Sequence, residues 1–180
     1  VSWKSPVGFI AAQAVRAVAS GTRGRELTPD ERRLLRAVYG NSIEAGRVRI
    51  VAPVKGVLAI SRRAFVIENT LYVPPEFLPL QPEVLVHELC HIWQHQHGGH
   101  AYIADSLHAQ FLGDGYHLGK GLAEGRAWHA LNCEQQATLL EEAWVQGCFE
   151  GKRLVIAGVD RTAAFEAAIA HVHAGRGAAV

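Results

Sequence analysis

The pentapeptide His87-Glu88-Leu89-Cys90-His91 sets two imidazoles four residues apart, with a carboxylate next to the first. On a helix, His87 and His91 leave the same face about one turn apart. Two imidazoles so placed can share one Zn²⁺, and Glu88 then stands within reach of a water on that ion. Val84-Leu85-Val86 before the motif and Ile92-Trp93 after it predict a buried helix. Unpartnered His and Glu side chains would be costly there, which argues against a chance match.

A catalytic zinc takes three protein ligands and keeps a fourth position for water, so one ligand must come from elsewhere. His97 lies at the spacing of the longer motif H-E-x-x-H-x-x-G-x-x-H, but Gln94 occupies the place of its Gly. Glycine lets the helix break and turn the last His back to the metal, and glutamine does not do so cheaply. An unbroken helix carries His97 away. His95, His97 and His100 then read as surface residues at a helix end, where the dipole favours imidazolium. The other source is a later helix holding Glu134, Glu141 and Glu142. Glu134 and Glu141 share a face, and spacing alone does not choose between them. Glu134 has the amides of Gln135 and Gln136 beside it, which could support a ligating carboxylate. Cys90 and Cys133 could also bind metal, although small buried thiols are the expected role.

These residues need a scaffold. The chain has 180 residues, 49% apolar and 19% charged, which suits one globular domain spanning 1–180. A net charge of +1 gives no electrostatic case for nucleic acid or an acidic membrane. Seven of the ten His fall between His87 and His117. Three Cys without framework spacing argue against a disulfide scaffold and fit a reducing, cytoplasmic compartment. No run approaches the ~18 apolar residues of a membrane span. Gln13 and Arg16 interrupt the apolar start, so residues 1–20 are expected to hold an amphipathic helix, at 5–19, rather than a signal peptide.

Thr28-Pro29-Asp30-Glu31 predicts a capped helix with Leu34, Leu35, Val38 and Tyr39 buried. Strands are expected at 48–51, 64–67 and 70–73, with a turn at Glu68-Asn69. Pro74-Pro75 suggests that the third is an edge strand. The motif helix should run from Pro82-Glu83 to about His97, ended by Gly98-Gly99. A Gly-rich stretch at 100–127, with a possible helix at 103–111, precedes a helix from Asn132 to Cys148. Residues 155–159 are ambiguous, 161–173 are helical, and 175–180 form a tail expected to be disordered. The order implies an α+β fold, a small sheet packed on the motif helix and further helices.

Taken together, Asn69-Thr70-Leu71-Tyr72-Val73, His87-Glu88-Leu89-Cys90-His91-Ile92-Trp93-Gln94 and Asn132-Cys133-Glu134-Gln135-Gln136-Ala137 resemble the zincin-like, Vgr-related metallopeptidases found beside bacterial type VI secretion and related contractile injection systems. The resemblance runs from about Leu27 to Trp144, within a core of about 27–150. It implies a gluzincin-type site, with Glu134 as the third zinc ligand after His87 and His91. Many gluzincins carry an Asp one turn after that Glu, and here the position is Thr138.

The expected reaction is hydrolysis of an amide bond in a protein or peptidoglycan peptide, with Glu88 as general base. A donor for the oxyanion is sought in the Gly-rich stretch, where Tyr116 and His117 rank ahead of Tyr102. The strand at 70–73 could pair with a substrate peptide through its backbone. The N-terminal helix could plug the site, although packing on the core is the simpler expectation. The alternative is a catalytically inactive zincin-fold accessory or adaptor of a secretion apparatus. Export through that apparatus would fit either reading.

Overall fold

In the computed structural model, residues 24–52, 64–98 and 126–179 are described. The first helix, α1 (Pro29–Tyr39), starts as its sequence dictates. The Glu31 N–H donates to Thr28 Oγ1 at 3.2 Å, and the Thr28 N–H donates back to Glu31 Oε2 at 2.7 Å. Leu35, Val38 and Tyr39 point inward, and Gly40 ends the helix at φ +59°.

A three-stranded sheet follows, β1 (Arg49–Val51), β2 (Phe65–Ile67) and β3 (Thr70–Tyr72), in the order β1-β3-β2. The β2–β3 pair is an antiparallel hairpin in which Val66 faces Leu71. Its turn is the expected Glu68-Asn69, with Glu68 at φ 56°. The β1–β3 pair is parallel, with Ile50 opposite Leu71. β3 is therefore the central strand, not the expected edge. Both its flanks are hydrogen-bonded, so its backbone has no free side to offer a substrate. The last ladder bond runs from the Val73 N–H to Val51 O, at 2.9 Å. The two prolines lie just beyond it and end the strand rather than mark an edge.

The motif helix, α2 (Pro82–Gly98), continues unbroken through Gln94. From Leu85 to Gln94 every residue except His87 is buried, so α2 runs through the middle of the molecule. Such a helix must find a partner for each polar side chain. It packs against α1, the sheet and α3 (Cys133–Val145). Asn132 caps α3 by accepting from the Gln135 N–H at 2.8 Å, and Gln135 Oε1 accepts from the Asn132 N–H at 3.2 Å. α3 stops at Val145, short of the expected Cys148, because the chain turns at Gly147 with φ +74°.

The ambiguous stretch at 155–159 is a hairpin, β4 (Val155–Ile156) with β5 (Val159–Asp160), turning on Ala157 and Gly158 at φ 51° and 77°. Two left-handed residues in a row suit the twist of a two-residue hairpin. The last helix, α4 (Thr162–His173), is tied to α2 by Trp93 Nε1 donating to Val172 O at 3.1 Å. Against the expectation of a loose tail, residues 177–179 are packed and Ala179 is only 8% exposed, while Arg176 stays exposed. The Ala179 N–H donates to the buried Gln136 Oε1, and Gly177 lies so close to Trp128 that a Cβ would meet its Cδ1 at 3.0 Å. Small residues permit that approach, and a buried amide captures the backbone.

The expected N-terminal helix at 5–19, the helix at 103–111 and the candidates Tyr102, Tyr116 and His117 lie outside the described residues. Among the described residues, no helix is long and apolar enough to cross a membrane.

Candidate metal centre

α2 presents His87 and His91 one turn apart, with ring centroids 5.0 Å apart and the planes near perpendicular. α3 lies against that face and delivers Glu134 from its first turn. His87 Nε2 is 3.4 Å from Glu134 Oε2, and His91 Nε2 is 3.5 Å from Glu134 Oε1. The three residues, His87 half-buried and His91 and Glu134 buried, form a group in which one ligand atom from each lies within 4.8 Å of the others. With metal bonds of ~2.0–2.1 Å, tetrahedral ligands stand ~3.3 Å apart, so these separations fit a single small ion.

Each imidazole is held from behind. His87 Nδ1 lies 2.9 Å from Glu141 Oε2, and His91 Nδ1 lies 2.9 Å from Gln94 Oε1. An oxygen opposite Nδ1 keeps the hydrogen there and leaves Nε2 for a metal. This answers the absence of an Asp at position 138. The carboxylate comes instead from Glu141, two turns after Glu134 on the same face of α3. Its place had a visible signal, the shared face of Glu134 and Glu141, which spacing alone could not divide into the carboxylate that meets both Nε2 atoms and the one behind His87. Gln94 also had one, since residues three apart on a helix are neighbours. In the sequence its visible meaning is the missing glycine of the longer motif.

The site sets three carboxylates against two imidazoles. Burial alone would lower the pKa of His87. Glu134 and Glu141 outweigh it through hydrogen bonds, helped by the Glu88 charge, and raise it to about 10. Burial lowers the pKa of His91, with His87 adding to the shift and Glu134 opposing it. Burial raises Glu88 to about 7, supported by the Glu134 and Glu141 charges and opposed by His87. Glu134 is fully buried and Glu88 is 7% exposed. Carboxylates this deep require a nearby cation. The His87 imidazolium provides one positive charge, and a divalent ion on the same atoms would provide two. The donor set of two imidazoles and one carboxylate matches zinc chemistry.

Glu88 Oε2 is buried and has no hydrogen-bond partner among the described residues. The other candidates fall elsewhere. His97 Nε2 meets Ser42 O at 2.7 Å on the exposed side of α2. Glu142 is exposed and accepts from Gln146. Cys90 and Cys133 are buried, and neither joins the three-residue group. Gln135 closes the cap of α3.

No family model matches the chain, and no solved structure does. The chain is 32% identical over 162 residues to the type VI secretion system spike protein VgrG2b of Pseudomonas aeruginosa. The match takes in 79% of this chain, which spans 16% of the spike protein's length. The Vgr relation expected from the motifs is thereby met as a distant similarity.

Proposed function

We propose that the chain is a zinc-dependent peptidase that hydrolyses amide bonds in a protein or peptidoglycan peptide. One observation carries the reading. Two imidazole Nε2 atoms and the buried Glu134 converge, and Glu88 stands beside them with a carboxylate oxygen that nothing described engages. His87, His91 and Glu134 would hold the ion. Zinc bound there would supply Lewis-acid chemistry toward a carbonyl and a water. Glu88 would take a proton from the attacking water and pass it to the leaving amine. Burial raises the Glu88 carboxyl to about 7 in the metal-free site, and a bound cation would draw it down towards the carboxylate form that accepts a proton. Tyr116 and His117 are the proposed donors to the developing oxyanion. The similarity to a spike protein supports work within a type VI secretion setting, as an exported effector or as a processing enzyme.

Metal analysis and a peptide-cleavage assay test this together. The purified chain should hold about one zinc, and a content below ~0.2 per chain would sink the reading. Glu88→Gln should keep the zinc and lose ~10²–10⁴-fold in turnover. Full activity in that variant would remove Glu88 as the base. Zinc held by a wild-type chain that cleaves nothing would favour the accessory role.

A further inference from the structure

We propose that Gln136, held by the C-terminal strap at Gly177–Ala179, sets the tautomer of His91 through Gln94. The inference deepens the metal-centre reading and does not depend on peptidase turnover. It follows from which groups can only donate and which can only accept. A backbone carbonyl only accepts, and a backbone N–H only donates. Gln136 sits among three such groups. Its Nε2 donates to Trp128 O at 3.0 Å and to Gly177 O at 2.8 Å. Its Oε1 accepts from the Ala179 N–H at 3.1 Å. These contacts fix the amide one way round, a choice that atom positions alone do not make.

Gln136 Oε1 also faces Gln94, which must therefore present Nε2, and does so at 3.0 Å. The other Nε2 hydrogen of Gln94 goes to Cys133 O at 2.9 Å. Gln94 Oε1 is left to face His91 Nδ1 at 2.9 Å. An amide oxygen only accepts, so Nδ1 carries the hydrogen. The lone pair of Nε2 is then directed at Glu134 and at the place of the ion. Gln94 and Gln136 are both 0% exposed, so bulk solvent cannot stand in for a lost partner. In effect, Gly177 O and the Ala179 N–H act with Trp128 O and Cys133 O to decide which nitrogen of the proposed metal ligand is free.

The test labels the histidine rings of the full chain with ¹⁵N and reads the His91 tautomer with and without zinc. Zinc affinity is read by competition with a chromophoric chelator. Wild type should show one tautomer, with the hydrogen on Nδ1. Gln136→Met, similar in volume but unable to hydrogen-bond, should give mixed tautomers and a ~10–100-fold loss of zinc affinity. Gln94→Met should behave alike. If Gln136→Met does not fold, Gly177→Ala serves in its place. It forces a side chain into a left-handed position, φ +73°, against Trp128, and so shifts the strap without altering either glutamine. A folded Gln136→Met or Gly177→Ala with an unchanged tautomer and zinc affinity within ~2-fold of wild type overturns the proposal. A wild-type chain that takes up no zinc defeats the metal-centre reading separately, and the metal-free tautomer still judges the relay.

Discussion

His87 carries a proton where a metal would take a lone pair. Its pKa of about 10 arises because Glu134 and Glu141 outweigh burial, so the metal-free site is occupied by an imidazolium near neutrality. A metal must displace that proton, which couples binding to pH. Apparent zinc affinity should rise ~10-fold per pH unit between roughly pH 7 and 9, as read by titration in buffers of differing proton-ionisation enthalpy. The same shift governs stability. The folded pKa of His87 lies above its ordinary value of 6.5, so its contribution is complete below that value. It is lost as pH rises towards about 10. The raised pKa of Glu88, about 7 against an ordinary 4.5, acts in the same direction over a lower window. The urea midpoint of the metal-free protein should therefore fall from pH 6.5 to 10, and His87→Gln should flatten that fall. A midpoint that rises across this range would mean that the imidazolium is absent.

At the scale of the elements, α2 is the part on which the site depends. Leu89, fully buried between Glu88 and Cys90, anchors it in the core. Leu89→Ala should cost ~2–5 kcal/mol in denaturant unfolding and weaken metal binding with it. Thr28→Ala removes only the cap of α1 and should cost ~1 kcal/mol while zinc affinity holds. α1, α2 and α3 were legible because capping residues, helix period and glycine stops are local signals. The place of β3 in its sheet was not. Which strand lies in the middle depends on pairing between residues far apart in sequence, as between Ile50 and Leu71. Two prolines at the end of a strand look the same whether the strand is central or at an edge.

Over the whole molecule, long-range hydrogen bonds hold α2 at its flanks. Tyr39 Oη donates to Val86 O at 2.6 Å, just before the motif, and Trp93 Nε1 donates to Val172 O just after it. The site is thus clamped between α1 and α4. Trp93→Phe keeps most of the packing and leaves Val172 O without that donor. It should cost ~1–3 kcal/mol, with the faster amide exchange concentrated in α4. Equal exchange in both proteins would show that the bond does not tie α4 to the core. Residues 177–179 belong to this clamp because the buried Gln136 takes up the Gly177 carbonyl and the Ala179 N–H. Their composition alone, small and without period, gave no sign of it.

The sequence by itself determined the chemistry on offer: two imidazoles on one helix face, an adjacent carboxylate and no glycine at position 94. Those are properties of residue type and helical period, and they need no neighbours. Glu134 as the third ligand came from resemblance rather than spacing, because a helix face does not say which of its carboxylates points at another helix. Only the packing of α3 on α2 decided that, bringing Glu134 to the Nε2 atoms and Glu141 to the back of His87. The tertiary structure also turned Gln94 from an absent glycine into the partner of His91, since a buried amide takes its role from whatever polar group the fold places opposite it.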